Sequence, residues 1–255
     1  MTRGASNRSL VNSNRRPLTA RAVNDCWPAA ACGDHFSAYT RRQVLKSSHQ
    51  VIVLGPPGAG KGTQARRLAE RLGLVHISPG ELLREQIPAD SPSGQRIRAL
   101  MAAGELIPDD LVDRVVRDRL QTLSSEQGFV LDGYPRTAAE ADYLRGLLAR
   151  LGRLHRRPTL VWLEAPRAEI VRRLRHRRKV EGREDYAEVA IARRLATYDA
   201  HAWALREAVQ GWTDVIAIDG GRAADRVAEE IFQRLCPPEV EPAGHGGRCL
   251  EVHEA

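Results

Sequence analysis

The segment at residues 55–63, Gly-Pro-Pro-Gly-Ala-Gly-Lys-Gly-Thr, has the residue types and spacing of a phosphate-binding loop. It directly follows the apolar run at residues 51–54 and precedes a helical pattern, which is the context that a Walker A loop requires. Glycines let main-chain N–H groups turn inward around a β-phosphate, and a lysine reaches the β and γ oxygens. The residues predicted to bind ATP here are Gly58, Ala59, Gly60, Lys61, Gly62 and Thr63.

Two details of this loop bear on the prediction. A simple Gly/Pro turn at a strand end is the alternative, but such a turn needs neither four glycines nor a lysine. The residue after Lys61 is Gly62, whereas the general pattern has Ser or Thr there. Thr63 is therefore our candidate hydroxyl for Mg²⁺.

Asp132 is a second candidate for chemistry, because it ends the apolar run at residues 129–131. A carboxylate at the end of a buried strand emerges at the crevice, where a water-mediated contact with Mg²⁺ fits the ion's preference for oxygen ligands and retained waters. The alternative is a carboxylate that caps a helix or loop.

The elements that would position these residues alternate along the chain. Short apolar runs are separated by amphipathic stretches, and the runs are residues 51–54, 75–77, 129–131, 160–163 and 215–218. Strands that alternate with helices indicate a parallel sheet covered on both faces, with a ligand crevice at the carboxyl ends of the strands. We expect an α/β fold of three layers, α/β/α, around a five-stranded parallel sheet.

Composition limits the class of protein. The chain has 255 residues, enough for one good core, and no apolar run approaches the roughly 18 residues of a membrane helix. Cys26, Cys32, Cys236 and Cys249 show no zinc-type spacing, so we expect no structural zinc. The net charge of +7 is concentrated in residues 1–50, which carry +6. Nucleic acid is therefore not expected as a partner of the domain itself.

The two ends of the chain differ from its centre. Residues 1–49 are rich in Ser, Asn, Arg and Ala without hydrophobic periodicity, and we expect a disordered or targeting-like basic arm there. A transit peptide, an upstream-extended start or a plain flexible arm would look the same. Residues 236–255 resemble a flexible tail. We expect one domain at residues 50–235 and a cytoplasmic monomer, or an organellar one if the arm is a transit peptide.

Four segments in order, residues 55–63, 77–84, 131–137 and 182–185, resemble the adenylate kinase family of nucleoside monophosphate (NMP) kinases. They read GPPGAGKGT, ISPGELLR, LDGYPRT and GRED, and the similarity extends from residue 51 to about 235. The resemblance implies reversible phosphoryl transfer from MgATP to an NMP, with AMP favoured. It also implies two mobile lobes, an NMP-binding lobe at about 78–107 and a short lid without zinc at about 177–185.

Phosphoryl transfer needs positioning and charge neutralisation, so cations should converge on the transferred group. The residues that the resemblance and this argument assign to catalysis are Lys61, Asp132, Arg136, Arg177, Arg183 and Arg194. Arg173, Arg177 and Arg222 are candidates on the ATP side, Arg173 being one turn before Arg177. The alternative for any single arginine is a solvated surface charge.

The resemblance also places residues around the acceptor. These are Pro79, Gly80, Arg84, Glu105, Leu106, Ile107, Gly133, Tyr134, Pro135, Arg136, Glu140, Arg183 and Arg194. Leu106 and Ile107 could equally be core residues. Asp185 is assigned to the lid, where the neighbouring Tyr186 replaces a second aspartate of the family.

Two departures fall where the family recognises the base. Pro79 replaces a threonine, and Glu140 replaces a glutamine. An ionised carboxylate only accepts hydrogen bonds, so it could accept from adenine N6 while repelling N1, or accept from both N1 and N2 of guanine. Residues 137–140, Thr-Ala-Ala-Glu, also form a capping box that would occupy Glu140 instead. The acceptor base therefore stays open, with GMP or CMP as alternatives to AMP.

A function of another class is a nucleotide-binding regulatory protein whose basic arm engages nucleic acid or an acidic partner. The +6 arm and the changes at Pro79, Glu140 and Tyr186 support it. The retained set of acceptor and lid arginines favours the kinase, because a scaffold has no use for them.

Overall fold

The structure is a computed structural model that describes residues 48–86, 88, 90–181 and 187–237. Residues 1–47 of the predicted basic arm, the tail beyond residue 237, and the lid residues Arg183, Asp185 and Tyr186 lie outside the described residues. Among the described residues, no helix is both long enough and apolar enough to span a bilayer.

Five strands alternate with eight helices in the described part of the chain. The strands are β1 (Gln50–Leu54), β2 (Val75–Ile77), β3 (Phe129–Asp132), β4 (Thr159–Glu164) and β5 (Asp214–Asp219). The helices are α1 (Lys61–Leu72), α2 (Pro79–Gln86), α3 (Pro92–Ala103), α4 (Asp109–Gln121), α5 (Ala138–Arg150), α6 (Arg167–Glu181), α7 (Glu188–Gln210) and α8 (Ala224–Leu235). Each apolar run predicted to be a strand lies within one of these five.

The strands form one parallel sheet in the order β2-β3-β1-β4-β5. β1 is the central strand, and its five residues are all buried. A strand buried on both faces needs apolar side chains in both directions, which is why Val51–Leu54 is a continuous apolar run. The predicted five-stranded parallel sheet is confirmed.

Two hydrophobic clusters cover the two faces of the sheet. Ile52 and Leu54 point into a cluster built with α4, α5 and α7, while Val51 and Val53 point into one built with α1 and α8. Successive side chains of a strand alternate between faces, so one central strand supplies both cores. This arrangement confirms the predicted three layers.

The topology places two loops at the carboxyl ends of two neighbouring strands. β1 and β3 are parallel neighbours, so the segment after Leu54 and the segment after Asp132 leave the sheet side by side. The N–H of Gly133 donates to the carbonyl of Val53 at 3.0 Å, which continues the pairing past the end of β3. The phosphate-binding loop and residues 132–136 are therefore adjacent because they follow paired parallel strands.

Candidate active site

Lys61 begins α1 directly after the glycine loop and is half-buried. Its Nζ donates to the carbonyl oxygens of Gly55 at 2.8 Å and Pro56 at 2.9 Å. Burial lowers the pKa of Lys61 to about 8; Asp132 opposes this shift, whereas Arg136 and further arginines reinforce it. The ammonium group thus lies in a cationic environment that an anionic ligand would relieve.

Lys61 and Arg136 converge on Gly133. A Cβ atom at position 133 would lie 3.4 Å from Cε of Lys61 and 3.9 Å from Nη2 of Arg136. The Nε of Arg136 also donates to the Gly133 carbonyl at 2.9 Å. Loss of hydration inside the cleft lowers the pKa of Arg136, Glu140 and Asp132 oppose this, and Arg194 and Arg84 add to it. Two cations, one at the start of α1 and one in the segment after β3, therefore flank Gly133.

A cavity of about 350 Å³ connects these groups. On the side of the glycine loop it is lined by the predicted residues Gly58, Gly60, Lys61, Gly62, Asp132 and Arg177. On the other side it is lined by the predicted residues Pro79, Gly80, Arg84, Glu105, Leu106, Ile107, Gly133, Pro135, Arg136, Glu140 and Arg194. One cleft thus joins the Lys61 loop to Arg136, as two phosphate groups placed end to end would require.

Several predicted residues do not line this cavity within the described part of the chain: Ala59, Thr63, Tyr134, Arg173 and Arg222. Tyr134 is 1% exposed, and its hydroxyl donates to Oδ1 of Asp113 at 2.5 Å. The ring therefore anchors the segment after β3 to α4. Arg222 pairs with Glu230 on α8. Arg173 binds main-chain carbonyls, described below.

Asp132 is close to the start of α1. A Cβ atom at position 62 would lie 3.0 Å from its Oδ2, so the glycine after Lys61 permits this approach. Nε2 of His76 lies 3.6 Å from the same oxygen. A single carboxylate beside a phosphate-binding loop fits Mg²⁺, which keeps several waters and takes its other ligands from substrate phosphates. Among the described residues no group of three or more His, Cys, Asp or Glu could hold a metal ion.

Two arginines that line the cavity on the side away from the glycine loop contact the same residue. Arg84 on α2 donates to Sδ of Met101 at 3.7 Å, and Nη2 of Arg194 on α7 donates to the Met101 carbonyl at 3.1 Å. Helices α2, α3 and α7 are therefore tied together at Met101. Both guanidinium groups, which the sequence predicts to bind a phosphate, therefore contact the same residue.

Glu140 is 3% exposed and has two roles in the structure. Its N–H donates to Oγ1 of Thr137 at 3.1 Å, which confirms Thr137 as the N-cap of α5. Its Oε2 accepts from the N–H of Arg136 at 2.5 Å, one residue before the cap that we expected it to reach. Burial raises the pKa of Glu140 to about 7, against the hydrogen bond and charge of Arg136. Glu140 also lines the cavity.

The sequence did not single out other cavity residues. Thr197, Tyr198 and His201 line the cavity from α7, and they follow Arg194 by three, four and seven positions. That spacing places them on the helix face of Arg194, a signal that becomes usable once Arg194 is placed. Arg66 and Glu81 also line it and pair with each other.

Comparisons with known proteins agree with this geometry. The family model described as "Adenylate kinase" matches residues 53–210. The chain is 37% identical to the adenylate kinase of Clavibacter michiganensis subsp. michiganensis over 199 residues, which cover 78% of this chain and 98% of that protein. It is 40% identical to the adenylate kinase of a Nocardioides species over 186 residues, 73% of this chain and 96% of the relative. The adenylate kinase of Xylella fastidiosa is 38% identical over 186 residues, with 73% and 98% covered.

Proposed function

This chain belongs to the adenylate kinase family and transfers phosphoryl groups between nucleotides, and we propose that its acceptor is AMP, in the reaction ATP + AMP ⇌ 2 ADP. The observation that supports this proposal is the single cleft in which Lys61 and Arg136 meet at Gly133. The glycine loop would hold the donor phosphates, and the lobe with Arg84 and Arg194 would hold the monophosphate.

Phosphoryl transfer demands positioned charge rather than a covalent intermediate on the protein. Lys61 would bind the β and γ oxygens of the donor, and Arg136 would neutralise the phosphate of the acceptor. Their shared contact with Gly133 would bring the two reacting phosphates end to end. Arg177 and Arg194 would add positive charge from two further helices. Each cation would bind where negative charge is spread in the transition state.

Asp132, through a water molecule, would hold Mg²⁺ beside the loop, and Thr63, the single hydroxyl residue of α1, is the second candidate ligand. Mg²⁺, when bound, supplies charge neutralisation on the donor phosphates. Asp132 would contribute by fixing the position of that charge relative to Lys61, because its Oδ2 is held against the start of α1.

The assignment of AMP depends on Glu140. The relatives named above are adenylate kinases, and a protonated Glu140 could donate to adenine N1 while its carbonyl oxygen accepts from N6. The ionised form could instead accept from N1 and N2 of guanine. With a pKa of about 7, both forms are present near neutral pH. GMP is therefore the second candidate acceptor.

The test is direct. Purified protein with ATP and Mg²⁺ is incubated with AMP, GMP, CMP or UMP, and the products are separated. We expect ADP as the main product with AMP, and about a thousandfold slower formation of ADP with the Lys61→Met variant. Faster turnover with GMP than with AMP would instead identify GMP as the acceptor. An absence of diphosphate product from all four monophosphates would contradict the proposed function.

A further inference from the structure

The outer face of α6, the side turned away from the cavity, is strongly basic. The 15 residues of α6 include seven Arg or Lys and two Glu, although residues 51–255 as a whole hold 31 basic and 30 acidic residues. Ile170 and Leu174 are buried on the inner side of the helix, and Arg177 lines the cavity. The exposed basic residues of the helix are Arg167, Arg172, Arg175, Arg178 and Lys179.

A surface groove of about 590 Å³ follows this outer face. All the described residues that line it belong to α6, at positions 167, 168, 171, 172, 175, 176 and 179. Steps of three and four positions place these residues along one side of a helix. Ala168 and Val171 are apolar, and the other five are arginine, histidine or lysine. Such a groove is complementary to an acidic segment that also carries apolar side chains.

Carboxylates of the fold neutralise the outer face only in part. Arg167, Arg172 and Arg175 each bind one carboxylate at 2.7–2.8 Å, yet their side chains remain 58–70% exposed. Ion pairs at such positions are weak, because water and salt screen them. Arg178 and Lys179 form no ion pair with another residue of the described ranges. The face therefore keeps positive charge for a further acidic group.

The sequence contains one segment of matching chemistry, residues 238–255, which we call the acidic segment. It holds four glutamates and one arginine. Acidic and apolar residues are interspersed in it, as Glu-Val-Glu at 239–241 and Leu-Glu-Val-His-Glu at 250–254. The other end of the chain, residues 1–47, holds eight basic and two acidic residues, and like charge disfavours it on this face. Charge therefore selects the acidic segment.

The acidic segment is long enough to reach α6. Arg173 of α6 donates to the carbonyls of Gly220 at 2.7 Å and Gly221 at 3.0 Å, so α6 contacts the loop before α8. α8 has 12 residues and is about 18 Å long. Residues 238–254 cover about 55 Å when extended, which is enough to return along α8 and pass around α6. The stretch at 250–254 alone spans about 17 Å, similar to the roughly 18 Å between positions 167 and 179 of the helix.

We propose that the acidic segment binds the outer face of α6 in its own chain, with its glutamates paired to Arg172, Arg175 and Lys179. This inference goes beyond phosphoryl transfer, because the face lies opposite the cavity and includes none of the residues assigned to the nucleotides. The bound segment lies along the helix that leads into the predicted lid.

Lys179 makes the contact testable, because the chain has only two other lysines, Lys46 and Lys61. A carbodiimide joins an amine to a carboxylate in ion-pair contact without adding a spacer. The full-length protein, as an equal mixture of isotope-labelled and unlabelled copies, is treated at low salt, digested and analysed by mass spectrometry. We expect an amide link between Lys179 and a glutamate of the acidic segment, formed within one copy.

The variant Arg172→Gln/Arg175→Gln removes two charges from the face and keeps Lys179. The yield of the link should fall about fivefold in this variant, and it should also fall in the wild type at high salt. The matched control, Arg145→Gln/Arg226→Gln, removes two exposed arginines from other helices and should give the wild-type yield. Circular dichroism verifies that all three proteins are folded.

Cleavage of the acidic segment by a glutamyl endopeptidase is the second measurement, and it does not depend on the geometry of the link. The segment should be cut more slowly in the wild type and the control than in Arg172→Gln/Arg175→Gln. Equal cleavage rates in the three proteins, with a link yield that is nil or unchanged, would overturn the proposal.

Two other occupants of the face give different results, and either result would also overturn the proposal. Links found only between labelled and unlabelled copies would assign the face to a second copy of the chain. Binding of an oligothymidylate that is lost in Arg172→Gln/Arg175→Gln, without any link in the wild type, would assign it to nucleic acid. Because none of these measurements needs nucleotide turnover, failure of the proposed kinase reaction would be seen separately.

Discussion

The main-chain N–H of Arg136 donates a 2.5 Å hydrogen bond to Oε2 of Glu140. Glu140, a residue of the cavity wall, therefore also fixes the backbone of Arg136. A glutamine would keep this hydrogen bond through its carbonyl oxygen and would not titrate. Glu140→Gln thus separates the effect of the carboxyl charge from the effect of the contact.

The first prediction concerns stability and pH. The folded-state pKa of Glu140 is about 7, above its usual 4.5, so the folded protein binds more protons than the unfolded chain between those values. Wild-type stability should fall as pH rises through this window. The free energy of unfolding of Glu140→Gln, measured relative to that of the wild type, should be about 2 kcal/mol higher at pH 8 than at pH 5. Urea unfolding at both pH values measures this, and exposed Glu207→Gln is the control. A pH-independent difference would contradict the prediction.

The second prediction concerns the acceptor base. The amide of Glu140→Gln both donates and accepts, as adenine N1 and N6 require, and it cannot accept from both N1 and N2 of guanine as a carboxylate does. We expect the ratio of kcat/KM for AMP over GMP to rise about tenfold at pH 8 and less at pH 6, where more of the wild-type carboxyl is protonated. Initial rates with each monophosphate give the ratio. An unchanged ratio at pH 8 would show that Glu140 does not discriminate between the two bases.

The third prediction concerns the two cations at Gly133. Lys61→Met and Arg136→Ala should each reduce kcat/KM about a thousandfold, since each removes charge from the transferring group. Arg145→Ala, an exposed change on α5, should leave activity unchanged. Steady-state kinetics, with circular dichroism to verify folding, are sufficient. Wild-type rates in either folded variant would be incompatible with the assigned roles.

The fourth prediction follows from the lowered pKa of Lys61, about 8. Above this pH the side chain loses its proton, and binding of an anionic nucleotide must restore it. The Kd of MgATP should therefore rise about tenfold between pH 7 and pH 9. Binding is measured by titration calorimetry without acceptor. The Lys61→Met variant should bind weakly with little dependence on pH, and an equal slope in both proteins would assign the effect to another group.

The fifth prediction concerns Gly62. A Cβ atom there would lie 3.0 Å from Oδ2 of Asp132, so Gly62→Ala must displace the carboxylate. We expect the Mg²⁺ concentration for half-maximal activity to rise about threefold or more, because a shifted Asp132 positions the ion less well. Gly211→Ala is the matched control, since a Cβ at Gly211 meets nothing within 4 Å. Identical Mg²⁺ curves for both variants would exclude Asp132 from the ion site.

Local signals predicted much of this molecule. The strands are short apolar runs, the glycine loop lies between a strand and a helix, and the Thr137 cap follows from residues three positions apart, so each can be found in one window of sequence. These features determine the sheet and half of the cleft.

Contacts between distant segments could not be predicted in this way. Arg173 and Gly220 are separated by 47 positions, and nothing in either segment identifies the other as its partner. The resemblance placed Tyr134 at the acceptor, but its hydroxyl is bound by Asp113 on α4, a contact made by tertiary packing. Thr197, Tyr198 and His201 on α7 were missed for the same reason, since no motif marks them.

The central place of β1 has a mechanical consequence. Lys61 and Arg136 follow two adjacent strands, β1 and β3, whose apolar residues are all buried, while α2 and α3 lie outside the sheet. Movement of those two helices would alter how tightly a monophosphate is enclosed, yet the separation between lysine and arginine would stay constant. The sheet therefore fixes the relative positions of the two segments that carry Lys61 and Arg136, independently of how α2 and α3 are placed.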